Sequence, residues 1–176
     1  ALQLVSGGLG DMLDRLTNQD VVSFTGSADT AFKLRSAPHI LENSIRFIAE
    51  QDSLNASILG PDATMGTPEF DLFVKEVSRE MTTKAGQKCT AIRRIFVPTP
   101  LVDPVVDALR TALAKITIGD PSNEATRMGA LVSQSQRDDV LDKAAVIGQE
   151  ADRGIGDPNN FSVLDADGAE GAFVPP

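Results

Sequence analysis

The 176-residue chain has one cysteine, one histidine, no tryptophan and no tyrosine. A lone cysteine excludes an internal disulfide and fits a reducing, cytoplasmic setting. One Cys and one His make no cluster with metal-ligand spacing, so no metal is expected. Basic residues are in the minority: 16 Lys and Arg against 25 Asp and Glu give a formal net charge of −9. No basic stripe offsets that charge, so neither nucleic acid nor an anionic membrane is an expected partner. No apolar run approaches the roughly 20 residues of a spanning helix, and no signal peptide is visible. The chain runs from Ala1 to Val174-Pro175-Pro176 and reads as an interior piece of a longer protein.

Hydrophobic residues make up 41% of the chain, enough for a sizeable core. Strand-like and helix-like stretches alternate, which predicts an α/β fold with mostly parallel strands. The pattern predicts a short strand at Leu2–Val5, a helix near Gly10–Leu16, a buried strand at Asp20–Thr25 and a helix over Ala28–Arg35. Ile45–Ala49 and Leu54–Leu59 are further apolar stretches. Thr67-Pro68-Glu69 is a strong helix start, with Thr as N-cap, Pro in the first turn and Glu at the positive end of the dipole. The periodic Phe70, Phe73, Val74, Val77 and Met81 carry that helix to about Lys84, with Gly86 as its stop. A strand at Ile92–Val97, helices at Leu101–Lys115 and Ser135–Gly148, and a loop-rich end with one short strand near Phe161–Leu164 complete the reading.

Three places carry chemistry. Gly26-Ser27 stands between a strand and a helix, where free N–H groups favour an anion. An ordinary capped turn has the same pattern, and no G-x-G-x-x-G fingerprint is present. Cys89 sits in Ala85-Gly86-Gln87-Lys88-Cys89-Thr90-Ala91, a loop of small residues in which Lys88 can favour the reactive thiolate. A buried, inert cysteine is the alternative. Glu50 closes an apolar stretch, where a carboxylate can serve as general base or can simply be solvated; Asp52 competes with it. His39, after Pro38, reads as a solvated loop histidine, and a thiol hydrolase pairing Cys89 with His39 is the weaker reading.

Together these pieces resemble the aldehyde dehydrogenase superfamily. Phe24-Thr25-Gly26-Ser27 is similar to its cofactor turn. Gly86-Gln87-Lys88-Cys89, with Arg94 five residues on, is similar to its nucleophile motif, and Glu50 lies 39 residues before Cys89, close to the family spacing of base and nucleophile. Two departures stand out. The family's Glu-Leu-Gly-Gly-Lys is here Glu50-Gln51-Asp52-Ser53-Leu54, and Ala31 replaces a glycine of the cofactor turn.

The resemblance implies the end of a Rossmann-like cofactor domain over 1–49 and the first half of a parallel-sheet catalytic domain over 50–176. It implies Cys89 as nucleophile, Glu50 as general base, Gly26 and Ser27 against the cofactor, and NADP or NAD as cofactor, with NADP favoured. It also implies a homo-oligomeric full-length protein and an inactive isolated piece. Glu50 to Asn55, and Arg79 to Arg94, resemble one branch that oxidises CoA-linked semialdehydes in the breakdown of phenylacetate or benzoyl-CoA. The closing Gly171–Pro176 favours phenylacetate. Lys88 and Arg93 are weighed there as contacts for CoA phosphates or as salt-bridged surface cations.

Overall fold

The computed structural model describes residues 2–176, and no helix among them is long and apolar enough to cross a membrane. The chain forms two compact units, divided after Asp52.

The first unit is a strand–helix–strand arrangement. Strand β1 (Val21–Gly26) pairs in parallel with β2 (Arg46–Gln51), in a register that sets Thr25 beside Glu50 and Gly26 beside Gln51. Between them run α1 (Ala28–Arg35) and the short α2 (Pro38–Glu42). Parallel strands need such a crossover because a tight hairpin cannot join them. Ala31 on α1, Ile40 on α2 and Ile45 before β2 are the buried apolar residues here. Ala31 is 2% exposed, so the residue that replaces the family's glycine has its methyl group enclosed.

Three expectations fail in this unit. Residues 2–6 form no strand, and Leu2 and Leu4 are 100% and 93% exposed. An apolar run becomes a strand only where a neighbour takes its ladder bonds, and none does so among the described residues. The strand expected at Asp20–Thr25 forms as β1 but is not buried, since only Val22 and Phe24 are even half-buried. The alternate residues lie on a face that no helix of this unit covers. The expected helix near Gly10–Leu16 is a single 3-10 turn, Met12–Arg15.

The second unit is built around α3 (Pro68–Thr82) and α4 (Val102–Leu113). Thr67 caps α3, its hydroxyl accepting from the Phe70 N–H at 3.3 Å, while Glu69 and Asp71 occupy the positive first turn. Phe70, Phe73 and Val77 recur on one face and pack with Val105 and Leu109 of α4, together with Leu59 and Ala63. Strands β3 (Ala56–Ile58) and β4 (Arg94–Phe96) form a second parallel pair. Beyond α4, Ile118, Met128 and Phe173 make a smaller core. Helix α5 (Gln134–Ile147) begins at the Ser133 cap, and Arg137 donates to the Phe173 carbonyl at 3.1 Å. The short strand expected near Phe161–Leu164 reduces to one bridge, Gly119 to Leu164.

Candidate active site

Within the first unit, the β1–β2 pairing brings the proposed cofactor turn and the proposed base together. Gly26 ends β1, and a Cβ added there would lie 2.5 Å from the Phe24 ring, which gives this glycine a local packing reason of its own. Ser27 is the N-cap of α1. Its hydroxyl accepts from the Thr30 N–H at 3.3 Å and donates to the Thr30 hydroxyl at 3.0 Å. Glu50 is the exposed fifth residue of β2.

Asp52 ties these pieces to one another. Its N–H donates to the Gly26 carbonyl at 3.1 Å, and its carboxylate accepts from the Ala28 N–H, the first amide of α1, at 3.0 Å. Asp52 holds a left-handed backbone (φ 54°), a conformation that costs a non-glycine residue about 1–2 kcal/mol. The carboxylate read as a rival to Glu50 is therefore a second cap on the turn.

His39 is not a solvated loop residue. It lies in α2 and is half-buried, with Nε2 2.7 Å from the Leu16 carbonyl and Nδ1 3.2 Å from the Asn43 amide. Both ring nitrogens are engaged, so neither is left to activate a thiol.

Cys89 belongs to the second unit and is exposed. Helix α3 ends in a 3-10 turn, Thr83–Gly86, where Lys84 (φ 54°), Ala85 (φ 52°) and Gly86 (φ 71°) are left-handed in succession. This run turns the chain away from the helix axis and presents the loop. Gln87 then anchors it, its side chain donating to the Lys84 carbonyl at 3.1 Å and accepting from the Val132 N–H at 2.9 Å.

Lys88 is neither a cation left for the sulfur nor a free surface charge. Its ammonium donates to Glu80 Oε1 at 2.8 Å, with only 21% of the Lys88 side chain exposed. That hydrogen bond holds the Glu80 carboxyl below its ordinary value of 4.5, with partial burial working the other way. Glu80 Oε2 is buried and has no partner among the described residues. Arg93 spans two loop carbonyls, donating to Gly86 at 3.1 Å and to Lys88 at 3.2 Å. Asn55, marked in the sequence only as the end of a branch-like stretch and not as a site residue, donates from its side-chain amide to the carbonyls of Cys89 at 2.6 Å and Ala91 at 3.0 Å. The Cys89 N–H donates to no acceptor among the described residues. The loop thus offers an exposed thiol next to an uncommitted backbone donor, which is what nucleophilic attack on a carbonyl requires.

The aldehyde dehydrogenase family model matches residues 1–176. The chain belongs to the aldehyde dehydrogenase family. It is 49% identical over its whole length to the 3,4-dehydroadipyl-CoA semialdehyde dehydrogenase of Aromatoleum evansii, of which it covers 34%. It is 26% identical over 160 residues to aldehyde dehydrogenase family 7 member A1 of Malus domestica, covering 30% of that protein. This aldehyde dehydrogenase chain therefore spans about a third of the length of these relatives. Among solved structures it resembles the betaine aldehyde dehydrogenase of Staphylococcus aureus in complex with NAD+, with a TM-score of 0.74 and 27% identity over 89% of this chain and 29% of that one. An NADP dependent enzyme of E. coli, 23% identical with a TM-score of 0.76 over 98% of this chain and 34% of that one, shares the fold.

Proposed function

We propose that the full-length protein is an NAD- or NADP-dependent aldehyde dehydrogenase in which Cys89 is the nucleophile and Glu50 the general base. The exposed thiol on a restrained loop, beside its own unused N–H, is the observation that carries this reading. The Cys89 thiolate adds to the aldehyde carbon, and the Cys89 N–H stabilises the resulting oxyanion. Loss of hydride from that carbon leaves a thioester on Cys89. Glu50 takes a proton from water, the hydroxide adds to the thioester carbonyl, and the acid departs as the thiolate is regenerated. Bound NAD or NADP supplies the hydride acceptor. Gly26 and Ser27 would hold a phosphate of the cofactor at this exposed turn, and the Asp52 carboxylate on the Ala28 N–H would have to yield to it. On this reading residues 1–49 belong to the cofactor domain and residues 50–176 to the catalytic domain.

The substrate proposed is a CoA-linked semialdehyde. The terminal Gly171–Pro176 pattern favours 3-oxo-5,6-dehydrosuberyl-CoA semialdehyde in phenylacetate degradation, in a protein whose dehydrogenase is joined to a hydrolase domain. The name of the Aromatoleum relative favours 3,4-dehydroadipyl-CoA semialdehyde instead, and kcat/KM for the two decides between them. A homo-oligomer in the cytoplasm completes the proposal.

In the full-length protein, Cys89→Ala abolishes aldehyde oxidation, and Glu50→Gln slows thioester release far more than it weakens cofactor binding. A Cys89→Ala protein that still reduces the cofactor at the normal rate removes Cys89 from the mechanism. Unchanged turnover in Glu50→Gln removes Glu50.

A further inference from the structure

We propose that Arg93 and Asn55 are positioning residues that fix the two peptide planes flanking the Cys89 sulfur, an inference that rests on the nucleophile role of Cys89. A peptide unit is planar, so the Lys88 carbonyl and the Cys89 N–H move as one body. The Lys88 carbonyl accepts from the Ala91 N–H at 3.2 Å and from Arg93 Nη2 at 3.2 Å. Arg93 Nη1 reaches the Gly86 carbonyl at 3.1 Å, so one guanidinium bridges the start of the loop and the peptide that carries the oxyanion donor. A rigid fork can hold two carbonyls at once, whereas the single ammonium of lysine holds no such fixed angle.

The plane on the other side of the sulfur is held by Asn55. Its side-chain amide donates to the Cys89 and Ala91 carbonyls and lies 3.1 Å from the Ser53 hydroxyl. Asn55 is itself anchored, because its carbonyl accepts from the N–H groups of Arg93 at 2.9 Å and Arg94 at 3.1 Å. The two residues therefore brace each other as well as the loop. Cys89 and Thr90 are exposed, so packing does not supply this rigidity and the hydrogen bonds have to. With both planes fixed, the Cys89 N–H is aimed before substrate arrives, which is the condition for transition-state stabilisation without reorganisation.

The competing role for Arg93 is contact with a phosphate of a CoA-linked substrate, and steady-state kinetics separate the two. In the full-length protein, Arg93→Lys keeps the charge and loses the fork. It lowers kcat about 10–100-fold for a CoA-linked semialdehyde and for a plain short-chain aldehyde alike, with KM changed less than about threefold. Asn55→Asp, which sets a carboxylate against two carbonyls, does the same. Hydrogen exchange read on the loop peptide 86–92 gives a measure independent of turnover: it speeds up in both variants while α3 stays protected. If Asn55→Asp does not fold, the exposed Arg93→Lys carries the test alone. A rise in KM confined to the CoA-linked substrate makes Arg93 a substrate contact and overturns the proposal, as does unchanged loop exchange. A wild-type protein that oxidises neither aldehyde, with exchange still accelerated in the variants, instead sinks the enzyme reading and leaves the clamp as structure alone.

Discussion

The left-handed run at the end of α3 yields a test in which neighbouring substitutions have opposite signs. At Gly86 (φ 71°) an added Cβ would lie 3.3 Å from the Met81 carbonyl. An L side chain in this region costs about 1–2 kcal/mol, and alanine returns about 0.4–1 kcal/mol by narrowing the unfolded ensemble. Gly86→Ala is therefore destabilising by about 1 kcal/mol on these figures. Ala85 (φ 52°) already carries the strain. Ala85→Gly releases it at the same entropic cost and stabilises by about 0.5–1 kcal/mol. The chain has no Trp and no Tyr, so far-UV circular dichroism rather than intrinsic fluorescence follows unfolding in urea. With a slope near 2 kcal/mol per molar, the midpoint falls by about 0.5 M for Gly86→Ala and rises by about 0.25–0.5 M for Ala85→Gly. A stabilised Gly86→Ala, or a destabilised Ala85→Gly with unchanged slope, refutes the claim that backbone strain shapes the loop that carries Cys89.

Two further outcomes follow from the same unit and from the chain's length. Because Lys88 holds the Glu80 carboxyl below its ordinary 4.5, the pair's stabilisation is fully present above that value and is lost as pH falls through the lower folded one. Lys88→Met removes this part of the acid dependence and lets the Glu80 carboxyl rise, which a side-chain carboxyl NMR titration reads directly; an unmoved Glu80 titration counts against the pairing. The isolated 176-residue chain, a third of the length of its relatives, oxidises no aldehyde. Measurable reduction of NADP or NAD by the piece alone contradicts that.

Helix ends were the most legible part of the sequence where capping chemistry is local. Helix α3 begins where Thr67-Pro68-Glu69 says it should, and α1 spans the expected Ala28–Arg35. Strand limits were less legible because they depend on distant partners. The strand expected from Ile92 begins only at Arg94, since the N–H groups of Arg93 and Arg94 both turn to the Asn55 carbonyl. The site divides in the same way. The exposure of Cys89 follows from small neighbours and a helix stop, all close in sequence. The partner of Lys88 sits eight residues upstream on α3, and the hold of Asn55 on the loop spans 34 residues. Neither shows as a motif, because fold geometry rather than spacing makes the contact.

The carboxylate of Asp52, resting on the first amide of α1, means that the turn comes with a resident counter-ion. On the proposed cofactor role of this turn, an incoming phosphate would meet not a bare positive pole but a seat already taken by a group of its own sign. Grip at this spot is an exchange, and its strength is the difference between two anions for one amide.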